Sequence, residues 1–177
     1  MNQTTSYWQV AGFLFTAIFG TLLHFLFDLS GQSIITALFS AVNESIWEHM
    51  KLIYYPMLLF AFTESHFAGK EYKQFWCVKL MGIVLGLFLI PVIYYTYTGI
   101  LGTSADWFNI CIFFIAVGAA FGAETLLFQK EHACRLSPRI AFFIICLISV
   151  FFTVFTFLTP HIPFFQDPIT GGYGFQQ

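Results

Sequence analysis

Residues 75–98 read FWCVKLMGIVLGLFLIPVIYYTYT, and Lys79 is their single charge. An α-helix rises about 1.5 Å per residue, so this stretch covers roughly 36 Å, more than the ~30 Å of hydrocarbon in a bilayer. Lipid offers no partner for backbone N–H and C=O groups, so an open chain crosses it only as a helix. Comparable apolar runs lie at about 8–29, 46–63, 107–128 and 140–159. The reading is all-α: one integral membrane domain over residues 1–177, a bundle of five transmembrane helices followed by an ordered outer tail at 160–177. Residues 33–42, SIITALFSAV, are apolar but too short to cross, and are expected to form a short interfacial or re-entrant helix between the first two spans.

Composition supports that choice. Hydrophobic residues make up 58% of the 177 positions and charged residues 9%, where a soluble domain is roughly one quarter charged. This excludes a water-soluble enzyme, a secreted disulfide scaffold and a disordered chain. The formal net charge of −2, with seven Lys and Arg scattered along the chain, excludes nucleic acid as a partner. Cys77, Cys111, Cys134 and Cys146 have no C-x-x-C spacing, so neither a disulfide framework nor a thiolate zinc site is expected. The run beginning near Trp8 has no preceding positive charge and is read as a retained span.

Lys70, Lys73, Lys79, Lys130, Arg135 and Arg139 gather at one set of helix ends, and the positive-inside bias puts those ends in the cytoplasm. The N-terminus is then cytoplasmic, the C-terminus extracytoplasmic, and the expected location is the cell (inner) membrane. Asp28, Glu44, Glu48, Asp106 and Asp167 fall on the outer side with Lys51. Trp8, Tyr72 and Trp76 at one interface, and Tyr94, Tyr95, Tyr97 and Trp107 at the other, fit aromatic belts. Pro56 and Pro91 lie inside spans and are expected to kink them. Gly82 with Gly86, and Gly118 with Gly122, have the spacing that lets helices approach closely.

Polar residues in such a chain are costly and mark functional candidates. His24 and Asp28 sit about 40° apart on one face of the first span. Asn43-Glu44-Ser45-Ile46-Trp47-Glu48-His49-Met50-Lys51 opens the second span, and Ser45 with Glu48 makes a capping box. The tail adds His161 and Asp167 on prolines and glycines that favour extended backbone and turns. Imidazole and carboxylate together suit zinc, iron or manganese, and a catalytic centre needs three protein ligands plus an open position. The candidate ligands of a divalent metal such as zinc are His24, Asp28, His49, His161 and Asp167, with Glu48 or Glu44 as the base and Ser45 as the third catalytic candidate. A second polar set, Glu64, His66, Lys79 and Glu124, reads as an interfacial ion pair or a snorkelling group.

The segments NESIWEH at 43–49, HFLFDLSG at 24–31 and HIPFFQDPITGGYG at 161–174 resemble a family of small bacterial multi-pass membrane proteins of unknown function. Its marks are N-E-S-x-W-E-H and H-x-P-x-x-x-D-P-x-T-G-x-Y-G, and the resemblance implies no activity. A fainter similarity is to the intramembrane hydrolases that include alkaline ceramidases. There a Ser-x-x-x-His, an Asp and a distant His-x-x-x-His hold zinc, and Ser45 and His49 match the first element. This chain has five spans rather than seven and lacks the His pair.

Three functions are open on these grounds. One is a metal-assisted hydrolase or transferase acting on a lipid or amphiphile. Another is a cation- or proton-coupled transporter or channel using the same outward-facing cluster. The third is a membrane scaffold without turnover, whose cluster ties helix ends to the tail.

Overall fold

The computed structural model describes residues 3–69, 72–130 and 134–175, with side chains from Ser6 onward; Lys70 lies outside the described residues. The elements are α1 (Gln3–Leu29), α2 (Ile34–Ala37), α3 (Ile46–Phe67), α4 (Phe75–Leu101), α5 (Asp106–Phe128) and α6 (Pro138–Phe157), then a 3-10 turn at Pro163–Phe165. No strand occurs among the described residues. Among the described residues, four helices are long and apolar enough to cross a membrane: Ser6–Leu29, Phe75–Leu101, Asp106–Phe128 and Pro138–Phe157.

Local chemistry sets several of the boundaries. Gly102 ends α4 at φ 73°, a left-handed conformation that glycine adopts without strain, and its N–H closes on the Thr98 carbonyl. Ser137 caps α6 by accepting from the Ile140 N–H, and Pro138 takes the first turn, where its missing donor costs nothing. The polar residues ahead of Trp8 continue α1, because the apolar run marks the buried or lipid-facing stretch and not the helix end. The segment at 33–42 shrinks to a single turn, Ile34–Ala37, capped by Ser33. Ser40 then turns back to α1, donating to the Leu23 carbonyl and accepting from the Phe27 N–H at 3.2 Å.

The most polar of the long helices, α3, is the one most surrounded by protein. It packs against α1, α4 and α6 and buries Glu48, Lys51 and Glu64 together with Ile53, Tyr54, Met57 and Phe60. The other long helices turn Leu22, Phe88, Ile115 and Phe143 outward, as a lipid-facing wall requires.

The antiparallel pair α1/α3 keeps one register along its length. His24 meets His49, Gly20 meets Leu52, Gly12 meets Phe60, and Gln9 meets Glu64. A Cβ at Gly20 would stand 2.5 Å from the Leu52 carbonyl oxygen, so glycine is what lets the backbones touch there. Gly82 and Gly86 of α4 are also contact points, against Glu124 and Ile53. Gly118 has only an ordinary contact with Phe13, and Gly122 faces open space, so the expected second small-residue seam is absent.

The structure also corrects the reading of the cysteines. Cys77 and Cys134, 57 residues apart in sequence, are joined as a disulfide with Cα atoms 6.1 Å apart, while Cys111 and Cys146 are free. Sequence spacing could not reveal this pair, because the antiparallel run of α4 and α5 returns the chain to the start of α4 before α6 begins.

Candidate metal centre

The site is built on the turn that starts α3. The Asn43 side chain accepts from the Ser45 N–H at 2.9 Å, and Ser45 Oγ accepts from the Glu48 N–H at 3.3 Å. This is half of the expected capping box. The reciprocal half is missing because the Glu48 carboxylate turns inward instead, to the Val42 N–H at 3.1 Å and the Thr156 hydroxyl at 2.8 Å. Glu48 also pairs with Lys51 at 2.5 Å. The Lys51 ammonium is further held by the Ala37 carbonyl at 2.9 Å and by Thr156 at 3.1 Å. Both residues are fully buried, and the network ties the α2–α3 link, α3 and α6 together.

With Glu48 turned inward, Glu44 faces α1. Its two carboxylate oxygens lie 3.3 Å from His49 Nε2 and 3.8 Å from His24 Nε2, and all three side chains are partly exposed. One donor atom from each of His24, Glu44 and His49 can be chosen so that all lie within 4.8 Å of one another. Donors on a tetrahedral zinc stand about 3.3 Å apart, given metal–ligand bonds of about 2.0–2.1 Å. The two imidazole rings lie with centroids 5.3 Å apart.

The hydrogen bonding fixes the chemistry of His49. Its Nδ1 is 3.0 Å from the Ser45 carbonyl, an acceptor only, so Nδ1 carries the proton. Nε2 then presents either a lone pair or a second proton to a carboxylate oxygen. Two lone pairs at 3.3 Å repel, so a proton or a metal cation must lie between them. The contact with His49 holds the Glu44 carboxyl below the ordinary carboxylate range, against a smaller opposing effect of burial. Its contribution to stability is therefore present above the unfolded pKa and is lost as pH falls through the lower folded value. His24 Nδ1 is buried and has no hydrogen-bond partner among the described residues.

A family model of a family of unknown function, DUF6512, matches residues 1–175. The chain belongs to DUF6512. No curated protein and no solved structure matches it.

In this DUF6512 chain the NESIWEH segment and the glycine-rich tail touch directly. Asn43 Nδ2 donates to the Gly174 carbonyl at 3.1 Å, and the Phe175 N–H donates to the Thr156 carbonyl at 2.9 Å. Trp47 packs its ring against Phe152, Phe155, Phe164 and Phe165. The tail thus braces the turn that carries Glu44 without adding a donor to the cluster.

The remaining candidates have other surroundings. Asp28 is exposed at the end of α1. His161 is exposed and lies against Tyr173 with centroids 4.7 Å apart and the rings tilted by 42°. Asp167 is buried, and its carboxylate accepts from the Ile169 N–H and the Thr170 hydroxyl, both at 2.8 Å. It organises the D-P-x-T-G turn of this DUF6512 member, and none of the three joins the convergent group. Glu44, read from the sequence as a base, is the carboxylate that faces both imidazoles. The signal for that was its place next to Ser45: a residue just before a helix cap lies in the loop, free to turn toward a neighbouring helix.

Proposed function

We propose that this chain is a five-span membrane protein that holds one divalent transition ion, zinc foremost, on His24, Glu44 and His49. We infer that it uses the ion to hydrolyse, or transfer a group on, a lipid or other amphiphile at that membrane face. The observation carrying the proposal is the pair of imidazole Nε2 atoms facing one carboxylate, with the His49 tautomer set by the Ser45 carbonyl. Such an outer hydrogen bond is what orients a histidine ligand.

A bound ion in a three-ligand set would supply Lewis acidity and an acidified water at its open position. Glu44 has two oxygens, so one can ligate while the other accepts a proton. Glu48 is left as a positioning residue, since its oxygens are occupied by Lys51, Thr156 and the Val42 N–H. Ser45 acts as the helix cap through its hydroxyl. A lipidic substrate is favoured because the exposed Phe25 ring lies edge-on to His24, with centroids 5.0 Å apart.

The count of five spans includes α3, whose 22 residues suffice in length and whose charges are enclosed by protein rather than lipid. Exposed Ile34, Ile35 and Phe39 support an interfacial position for the α2 segment. Exposed Lys73, Arg135 and Arg139 at the opposite end support a cytoplasmic assignment there, with the metal cluster extracytoplasmic. Cys77 and Cys134 share that basic end, and in a reducing cytoplasm they would stand as two thiols. Ile53, Met57, Phe60, Ile83, Leu87 and Val117 are buried between the two polar ends, which favours a hydrolase over a transporter.

The test is turnover. Protein reconstituted with zinc in mixed phospholipid vesicles is expected to release lipid products detectable by mass spectrometry. Glu44→Gln should slow that release at least about 100-fold. Equal turnover in both proteins, or none across the lipid classes offered, would count against the proposal.

A further inference from the structure

At the other end of the same helix pair lies a second polar cluster, in which the ion pairing expected of Lys79 with Glu64 and Glu124 is present but buried among helices. Fifteen residues of helix separate His24 from Gln9 and His49 from Glu64, so the two clusters stand about 22 Å apart. Glu64 of α3, Lys79 of α4, Glu124 of α5 and Gln9 of α1 are each at most 3% exposed. His66, also in that set, is exposed.

Lys79 Nζ lies 2.5 Å from an oxygen of Glu64 and 2.5 Å from an oxygen of Glu124. Phe60, Phe75, Phe121 and Phe128 surround it, with ring centroids 5.4–5.9 Å from the ammonium. Two carboxylates and four aromatic faces fix the lysine as a cation. Gln9 Nε2 donates to the other Glu64 oxygen at 2.8 Å. Glu124 lies flush on α4, where a Cβ at Gly82 would collide with its carboxylate.

The charges do not balance. Two carboxylates face one ammonium, and an unpaired charge at this burial is strongly disfavoured. The other described cations at this end, Lys73, Lys130, Arg135 and Arg139, are exposed. Glu124 Oε1 and Gln9 Oε1 are both buried without a hydrogen-bond partner among the described residues. Gln9, which already reaches Glu64 through its amide nitrogen, is thus an unsatisfied acceptor within the cluster.

We propose that this cluster is a proton-binding site, in which one exchangeable proton resides on the Glu124 carboxyl beside ionised Glu64 and Lys79. The proton restores neutrality and gives Glu124 a donor. Ser65, Gly69, Tyr72 and Phe75 line a surface cavity on the near side of the cluster, where the Phe75 ring is also one wall around Lys79. The site is independent of the metal centre, with no residue in common.

Infrared difference spectroscopy of the full chain in lipid discs tests this. The wild type is expected to show the carbonyl band of a protonated carboxylic acid at neutral pH, and the band should shift in D2O. Glu124→Gln should abolish it. Glu64→Gln should abolish it as well, since either change leaves one carboxylate for one ammonium. Zinc content should be unchanged in both variants. No such band in the wild type, a band insensitive to D2O, or a band that persists in both variants would overturn the proposal.

Discussion

Lys51→Met is expected to destabilise the protein by about 3–5 kcal/mol, the range seen when one partner of a buried ion pair is removed. Lys51 and Glu48 are both fully buried, and the Lys51 ammonium has three acceptors: Glu48, Thr156 and the Ala37 carbonyl. Methionine keeps the volume but leaves the Glu48 carboxylate uncompensated among α3, α6 and the α2–α3 link. The double substitution Glu48→Gln with Lys51→Met removes both charges at similar volume and is expected to recover most of the loss. Denaturation midpoints of the three proteins in the same detergent decide the matter. A Lys51→Met protein as stable as the wild type would mean that the pair does not hold these segments together.

Gly20→Val is expected to weaken zinc binding about 10–100-fold, the range seen when the surroundings of metal ligands are disturbed. Gly20 lies one turn before His24, and its partner Leu52 lies one turn after His49. The Leu52 carbonyl oxygen and the Phe113 ring already occupy the space that a side chain would need. A valine would push α1 from α3, separating the two imidazoles without touching either. Gly122→Val is the control, since nothing lies within 4 Å of the position. Competition titrations with a zinc dye give both affinities. Equal affinity for the wild type and Gly20→Val would show that the close approach does not position the ligands.

The helical fold was legible because lipid admits few alternatives: apolar runs of sufficient length must be helices, and four of the five runs fall on helices long and apolar enough to cross a membrane. Ser45 was recognisable as a helix cap because capping is local. What was not legible depended on pairing between distant elements. The periodicity put His24 and Asp28 on one face of α1, but only the α1/α3 register selects His24 and turns Asp28 to the exterior. The contacts of His161 with the tilted Tyr173 ring and of Asp167 within its turn were equally out of reach of residue type alone. Lys79 looked like a residue near a span end, whereas α1, α3, α4 and α5 close around it with carboxylates and aromatic rings. The Cys77–Cys134 contact was hidden for the same reason, since 57 residues separate the two.

The convergence of two helices on one carboxylate is tested most directly by the metal content of protein purified without chelators and then titrated with zinc. About one tightly held zinc per chain is expected in the wild type, with loss of that zinc in His24→Ala and in His49→Ala while both variants remain folded. A wild-type protein that binds no stoichiometric zinc, or variants that keep it, would contradict the account.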